Sequence, residues 1–224
     1  MPSIPALRAL IHIRRNPSAG LLLVQLLGLV LYPLMESTAT GRALFNGFGL
    51  VVLGFALWVV RRSPWANWIG ALLALCVVGL GILNITAQSP TLTLLTSLSE
   101  AAFYVYAAGS LIAYMFDDHV ATSDELFAAG ATFTLLAWAF AHLYVACQAL
   151  NPAAFVGLTA PGELRPWIEL LFLSFTVLSG VGIGDVLPLS PMARGIVMLE
   201  QFTGVMYLAL VVSRLVGLAI ISRR

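Results

Sequence analysis

Long apolar stretches separated by short polar breaks make up most of the chain. Between Arg15 and Glu36 lie 20 uncharged residues, enough for one helix to cross the hydrocarbon core of a bilayer. The 37 residues from Ser63 to Ser99 carry no charge and are too many for a single span. Because Gln-Ser-Pro at 88–90 is a typical helix break, this run predicts two helices rather than one.

The same pattern predicts six membrane-spanning helices and a shorter apolar segment between the last two. The expected spans are residues 18–35, 42–60, 65–87, 92–116, 126–149 and 193–221. The additional segment, from Trp167 to Leu178, is too short to cross, and we expect a re-entrant element there. The predicted fold class is therefore an all-α membrane protein with six transmembrane helices.

Composition excludes several other classes of protein. Hydrophobic residues make up 60% of the chain and charged residues only 9%, whereas soluble domains carry about 25% charged residues. All eleven basic residues are Arg and the net charge is +1, so the basic surface that nucleic-acid binding requires is missing. This composition excludes an ordinary cytosolic enzyme, a nucleic-acid binder and a disordered chain. The two cysteines, Cys76 and Cys147, are expected to be buried free thiols.

The placement of arginine predicts the orientation in the membrane, because cytoplasmic loops are enriched in basic residues. If both termini are cytoplasmic, eight arginines lie inside, and only Arg42, Arg165 and Arg194 lie outside. The first segment, 1–17, is expected either to lie on the cytoplasmic leaflet as an interfacial helix or to form a loosely ordered tail.

The segment that follows the short apolar helix carries the candidate chemistry. Three glycines alternate there with two apolar residues, in the order Gly180, Val181, Gly182, Ile183 and Gly184. Glycine adopts backbone conformations that other residues resist, so such a strand can turn its carbonyls toward one axis. A ring of carbonyls can replace the water shell of a cation. The dipole of the preceding helix would point its negative end at the same axis.

The hexapeptide Gly-Val-Gly-Ile-Gly-Asp at 180–185 resembles the Thr-Val-Gly-Tyr-Gly-Asp signature of potassium channels. Ser179 and Pro188 also fit that family, and Gly204 lies where its inner helix usually has a hinge glycine. The similarity covers about 120–220 and includes flanking spans that resemble the outer and inner helices of bacterial members.

The resemblance implies a pore domain over 117–224. Its parts would be an outer helix 126–149, a pore helix 166–178, a filter 179–185 and an inner helix 193–221. K⁺, the permeant ion, would be coordinated by the carbonyls of Gly180, Val181, Gly182 and Ile183, with Gly184 completing the filter. Thr176, Ser179, Asp185 and Glu200 are candidate filter supports, and Gly204 is the candidate gating hinge. The implied protein is a homotetramer in a lipid bilayer, in the plasma membrane of a bacterium, with no cofactor.

The sequence departs from the family pattern at the filter, at the pore-helix positions Phe172 and Leu173, where the family has tryptophans, and at Thr176. Gly180 replaces the filter threonine, Ile183 replaces the filter tyrosine, and Thr176 stands where some members have an acid that pairs with the filter aspartate. We expect Ile183 to pack on Phe172, Leu173 or Phe175, and Thr176 and Ser179 to lie close enough to replace the lost hydroxyl in part. These departures predict a filter held by packing rather than hydrogen bonds, with reduced rigidity and selectivity.

The first four helices, 18–116, would form a domain shaped like a voltage sensor but without its charges. A sensor requires repeated Arg or Lys in span four, because each charge moved across 100 mV contributes about 2.3 kcal/mol. Span four contains no Arg or Lys and a single acid, Glu100. We therefore expect weak or absent voltage dependence.

Several ionisable residues are left over from this scheme. Glu200, an acid inside the last span, is expected to brace the filter from behind or to pair with a polar group nearby, with a structural acid bonded to the pore-helix backbone as the alternative. Glu100 and His142 lie toward the same outer side and are expected to be packed or interfacial, with a buried pair or proton site as the alternative. The acidic loop around His119 is interpreted as a solvated linker, with a divalent or pH-sensing site as the alternative.

The sequence leaves three functions open. The favoured one is passive potassium conduction, followed by a poorly selective cation channel and by a non-conducting accessory or scaffold protein. A secondary transporter would require inverted repeats, and the two halves of the chain show none. No catalytic motif is present in the sequence, so we expect no enzymatic activity.

Overall fold

The computed structural model describes residues 16–36, 49, 51–59, 67–117, 122–157 and 163–221. The described residues are predominantly helical, which confirms the helical class expected from the apolar pattern. Most of the expected N-terminal segment, the first part of span two and His119 lie outside the described residues.

Seven helices and two short strands follow one another along the described residues. The helices are α1 (Pro17–Glu36), α2 (residues 51–59), α3 (Asn67–Ala87), α4 (Pro90–Met115), α5 (Ser123–Leu150), α6 (Trp167–Leu178) and α7 (Pro191–Ile221). The strands are β1 (Phe155–Val156) and β2 (Leu187–Pro188). The expected break between α3 and α4 is present, and Gln88 adopts a left-handed conformation there with φ of 42°.

Three of the described helices are long and apolar enough to cross a membrane. They are Trp68–Ala87, Ser123–Leu150 and Pro191–Arg214. The apolar part of α1, Pro17–Tyr32, and all of α6 are shorter. Helix α4 has suitable length, but it contains several threonines and serines together with Glu100, and it does not reach the same apolar character.

The chain divides into two compact units, Met1–Gly70 with Ala107–Thr134 and Ala71–Tyr106 with Leu135–Arg224. In the first unit, the start of α1 is joined to the start of α5. Asp124 accepts hydrogen bonds from the backbone N–H and the hydroxyl of Ser18, both at 3.0 Å, and from the Tyr114 hydroxyl at 3.1 Å. A carboxylate at a helix N-terminus satisfies backbone donors that have no partner within the helix.

This arrangement corrects the interpretation of the acidic loop as a solvated linker at Asp124, whereas Asp117 is exposed and residues 118–121 lie outside the described residues. Asp124 is only 5% exposed because it caps α1, and no cluster of three potential metal ligands occurs among the described residues. The expectation for the cysteines is also half wrong: both thiols are free and Cys147 is buried, but Cys76 is exposed. Little of α3 is covered within the chain, which explains the exposure of Cys76.

In the second unit, α6 packs against α7, and β1 pairs with β2. The two strands run antiparallel, with Phe155 opposite Pro188 and Val156 opposite Leu187. This pairing ties the loop that follows α5 to the segment that precedes α7.

Candidate ion-conduction site

Helix α6 has 12 residues and is therefore about 18 Å long, too short to cross a bilayer. Most of its side chains are nevertheless buried within the single chain. The buried residues are Leu170, Leu171, Leu173, Ser174, Thr176, Val177 and Leu178. A helix this short holds its place through packing rather than through its own backbone hydrogen bonds.

The start of α6 is fixed by a side chain that sequence reasoning missed. Gln148, near the end of α5, donates to the carbonyl of Arg165 at 3.0 Å and accepts the Arg165 N–H at 2.8 Å. This reciprocal pair mimics a strand pairing and holds the backbone two residues before α6 begins. Gln148 is the only amide in the expected span 126–149, and this isolation in an apolar run is the signal that could have identified it.

Arg165 itself does not present its charge to solvent. The residue is 3% exposed, its Nη2 donates to the Glu163 carbonyl at 2.7 Å, and its Nη1 lies 4.0 Å from Glu169. A side chain at Gly157 would come within 3.2 Å of the guanidinium, so the glycine leaves room for it. Three acids lie close to this region in the sequence: Glu163 and Asp185 are exposed, and Glu169 is partly paired with Arg165.

Residues 180–184 pair with no other described segment as a β-strand would and are called the strand below. They are tied to α6 through its backbone. The Gly180 N–H donates to the Val177 carbonyl at 3.1 Å, and the Gly182 N–H donates to the Thr176 carbonyl at 3.0 Å. Both glycines lie in the left-handed region, with φ of 73° and 69°. Glycine is needed at these two positions because other L-residues are strained at such φ values.

Gly184 differs from the other two glycines. Its φ is not left-handed, and a Cβ there would meet the Thr176 hydroxyl and the Val186 carbonyl at 3.8 Å, which is ordinary contact. The residues between the glycines point outward: Val181 is 60% exposed and Ile183 is 70% exposed. The packing expected for Ile183 does not occur within one chain, and the observed ties are backbone hydrogen bonds.

The hydroxyl groups near the strand are turned back toward α6. Thr176 donates to the Leu173 carbonyl at 2.9 Å, and Ser179 donates to the Thr176 carbonyl at 3.3 Å. Asp185 is exposed and makes no hydrogen bond to another described residue. Both hydroxyls are therefore hydrogen bonded to α6 rather than to the strand. The oxygens near the strand that accept no hydrogen bond within the described part of one chain are mainly the backbone carbonyls of the strand.

The exit from the strand leads directly into α7. The Leu189 N–H donates to the Ala154 carbonyl at 2.8 Å, which continues the pairing of β1 and β2. Ser190 accepts the Ala193 N–H at 3.1 Å and so caps α7, with Pro191 at the first helical position. The exposed Arg194 donates to the Pro188 carbonyl at 3.2 Å.

Gly204 lies at the closest approach of α7 to the end of α6. An added Cβ would come within 2.8 Å of the Leu178 carbonyl carbon and 3.0 Å of its Cα, and closer still to the carbonyl oxygen. Backbone atoms cannot move aside as a flexible side chain would. Helix α7 runs without interruption through this position, so the glycine has a steric role, while its role as a hinge stays a prediction.

Glu200 is wholly buried on α7, one turn before Gly204. Its two carboxyl oxygens contact the Tyr144 hydroxyl from α5 and the Ser174 hydroxyl from α6. Ser174 also donates to the Ala137 carbonyl of α5 at 2.7 Å. Its partners are two hydroxyl side chains, which agrees with the expected pairing with a nearby polar group and not with a bond to the pore-helix backbone. Its support of the filter stays a prediction.

Glu100 and His142 are brought together from α4 and α5, with 2.8 Å between the carboxylate and Nδ1. Tyr104 stacks on the His142 ring at 5.5 Å, and Trp167 at the start of α6 lies 6.0 Å from it. The two residues therefore form a partly buried polar pair inside an aromatic cluster that reaches α6.

Comparison with known proteins identifies the region that contains this site. Residues 132–220 match a family model described as "Ion channel"; the matched region includes most of α5, all of α6 and nearly all of α7. The match covers less than half of the chain, and no curated protein and no solved structure matches it. Together with the apolar helices, it supports a membrane protein with an ion-channel module, and a transport role rather than an enzymatic one.

Proposed function

We propose that this chain is the subunit of a homotetrameric cation channel that conducts K⁺ passively. The observation that carries the proposal is the strand 180–183. Its glycines alternate in a left-handed conformation, and its two apolar side chains are largely exposed. It follows a helix too short to cross the membrane and lies inside the region that matches an ion-channel family.

The chemistry of conduction follows from the backbone. Left-handed φ at every second residue is the condition under which consecutive carbonyls can face one side of a strand. Carbonyls of Gly180, Val181, Gly182 and Ile183 would then replace the hydration shell of K⁺. The C-terminal end of α6 adds the negative end of a helix dipole close to the strand. One chain supplies one strand, so a closed ring of four copies is needed to surround an ion.

The proposed membrane arrangement has six spans, with α6 re-entrant between the last two and both termini in the cytoplasm. Its support is the three described helices that can cross, the further apolar helices, and the distribution of arginine. A plasma membrane of a bacterium is the proposed location, on the resemblance of the pore region alone.

We also propose that the channel is not strongly voltage gated. Helix α4 contains no Arg or Lys, and its single acid, Glu100, is held by His142. A conductance that varies gently with voltage is expected from the reconstituted protein. A steep conductance–voltage curve would contradict this part of the proposal.

The central experiment is a flux and reversal-potential measurement on the purified protein in liposomes, with K⁺ on one side and Na⁺ on the other. A reversal potential that follows the K⁺ gradient is expected. Absence of flux in well-reconstituted vesicles would favour the non-conducting accessory protein instead.

A poorly selective cation channel is the second candidate, and specific observations favour it. Gly180 carries no hydroxyl oxygen that could bind a cation, and the neighbouring Thr176 and Ser179 hydroxyls are hydrogen bonded to carbonyls of α6. Asp185 makes no hydrogen bond to any described residue. A reversal potential near zero would support this candidate. Ile183→Tyr restores the tyrosine of the family pattern and tests whether its loss lowers selectivity. Restoring threonine at position 180 is less useful, because threonine would be strained at φ of 73°.

A further inference from the structure

The contacts of Glu200 join three helices behind the candidate filter. Its carboxyl group lies on α7, and its partners are Tyr144 on α5 and Ser174 on α6. It is completely buried, and within the described part of the chain no basic side chain forms an ion pair with it. The nearest arginine along α7, Arg194, is exposed and is bonded to a backbone carbonyl.

The hydrogen bonds of this cluster can be counted proton by proton. A serine hydroxyl has one proton to donate and two lone pairs that accept. The Ala137 carbonyl can only accept, so the Ser174 proton is used there. The contact between Ser174 and Glu200 then requires that the carboxyl group donate. The Tyr144 hydroxyl donates to the other carboxyl oxygen, and every polar atom of the cluster has a partner.

If Glu200 were ionised, the cluster could not keep all of these hydrogen bonds. A carboxylate only accepts, so Ser174 would have to give up the Ala137 carbonyl in order to donate to it. The carboxylate would also be a buried charge with no cation beside it, which the interior of a protein disfavours. Both considerations favour a proton on Glu200.

The cluster is connected to the candidate filter by a short piece of α6. Ser174 lies two residues before Thr176, whose carbonyl accepts the Gly182 N–H at 3.0 Å. Any displacement of Ser174 therefore changes the position of the carbonyl that holds the strand. Gly204, one turn further along α7, contacts the end of the same helix and limits how α6 can relax.

We propose that Glu200 is a protonated positioning residue, a neutral carboxylic acid that donates to Ser174 and holds α6 against α5 and α7, so that loss of its proton loosens the filter and reduces conduction. This inference rests on the proposed channel function for its readout in ion flux, but the proton on Glu200 can be tested without it. The titratable group facing Glu200 is Tyr144 from α5; its partner from α6, Ser174, does not titrate.

The first test is spectroscopic and needs no conduction. The infrared difference spectrum between the wild-type protein and Glu200→Gln should contain the carbonyl stretch of a protonated carboxylic acid at neutral pH. A difference spectrum with only carboxylate bands would overturn the inference.

The second test uses a conservative variant. Glutamine at 200 keeps one donor for Ser174 and one acceptor for Tyr144, so K⁺ flux from Glu200→Gln should stay within about twofold of wild type. Glu200→Ala leaves both hydroxyls unpaired and should lose about tenfold or more. Gln201→Ala, at the exposed neighbouring position, is the control for substitution in α7. Equal loss in Glu200→Gln and Glu200→Ala would show that the ionised acid is required and would overturn the inference.

The third test measures K⁺ flux as a function of pH. It distinguishes a residue that acts through its proton from one with a purely structural role. Wild-type flux should fall as pH is raised and Glu200 loses its proton, whereas Glu200→Gln should show a flatter profile over the same range. Identical profiles for the two proteins would count against the inference. If wild-type liposomes show no flux at any pH, the proposed function fails, and the infrared measurement still decides the state of Glu200.

Discussion

Helix α6 and the strand that follows it differ in how much of their surface one chain covers. Seven of the twelve residues of α6 are buried, and Ser174 and Thr176 among them are hydrogen bonded within the chain. In the strand, Val181 and Ile183 are 60% and 70% exposed. Apolar side chains left exposed in a conformation held by backbone hydrogen bonds indicate a surface that something else covers. Most of the helix surface is covered within one chain, and that of the strand is not.

The long helices on either side show the same contrast. In the apolar window of α5, 61% of the residues are buried, whereas in that of α7 the share is 22%. Both helices are apolar enough to cross a membrane, so composition does not explain the difference. Most of α5 is covered within its own chain, and most of α7 is not.

The largest effect is expected where α7 touches α6. Gly204→Ala places a methyl group against the Leu178 backbone, and overpacking of this kind costs about 1–3 kcal/mol or more. Thermal unfolding in detergent should show a marked loss of stability, and K⁺ flux should be lost. Gly195→Ala is the matched control, since nothing lies within 4 Å of a Cβ there. A glycine-to-alanine change in an open helical position stabilises by about 1 kcal/mol, so the two variants should move in opposite directions.

The next largest effect concerns the start of α6. Gln148→Met keeps the size of the side chain but removes both hydrogen bonds to Arg165, which leaves two buried backbone groups unpaired. A loss of about 1–3 kcal/mol is expected in the unfolding measurement. Gln201→Met, at an exposed position, should have little effect. If both methionine variants were equally stable, the two hydrogen bonds between Gln148 and Arg165 would not be needed to hold the start of α6.

The glycines of the strand should separate into two classes. Gly182→Ala forces a side chain into the left-handed region, which costs about 1–2 kcal/mol and opposes the bond to Thr176. Gly184→Ala meets only ordinary contacts within the chain. We expect loss of selectivity and flux from Gly182→Ala and a smaller change from Gly184→Ala. A larger defect in Gly184→Ala would mean that contacts between subunits, rather than the backbone of one chain, determine the need for glycine.

The smallest effect on the folding of one subunit is expected at Ile183. Ile183→Ala should change the stability of the monomer in detergent by no more than about 0.5 kcal/mol, because the side chain is exposed. Leu171→Ala, at a buried position of α6, should cost about 2–5 kcal/mol. The order should be reversed for the K⁺/Na⁺ reversal potential, where Ile183→Ala should have the larger effect. Equal losses of monomer stability would contradict the contrast between helix and strand.

Much of the local structure could be predicted from the sequence. The uncharged run before Glu36 became α1, the Gln-Ser-Pro break separates α3 from α4, and the twelve apolar residues from Trp167 form α6. These features depend only on residues that are neighbours in the sequence. Charged residues and proline mark where a helix ends, and the length of the apolar run shows whether it can cross a membrane. The glycine-rich strand was visible for the same reason, since alternating glycines are a local property.

The partners of single polar residues could not be predicted in the same way. The sequence places Glu200 inside a span, but its contact with Tyr144 joins residues 56 positions apart. Asp124, which is expected in a solvated loop, caps α1 instead, and the sequence does not predict that Gln148 bonds to Arg165. Such contacts depend on how helices pack and rotate, and a pattern of apolar residues that is nearly uniform around each helix leaves that rotation undetermined.

The amino-acid sequence alone indicates a helical membrane protein with a short apolar helix and a glycine-rich segment before its last long helix. Folding in three dimensions is needed to show which glycines require a left-handed conformation, which one allows close packing, and which hydroxyls reach Glu200. The physical reason is the range of the forces involved. Hydrophobic length and backbone preference act along a few turns of chain, whereas steric fit and hydrogen-bond pairing act between segments that only folding brings together.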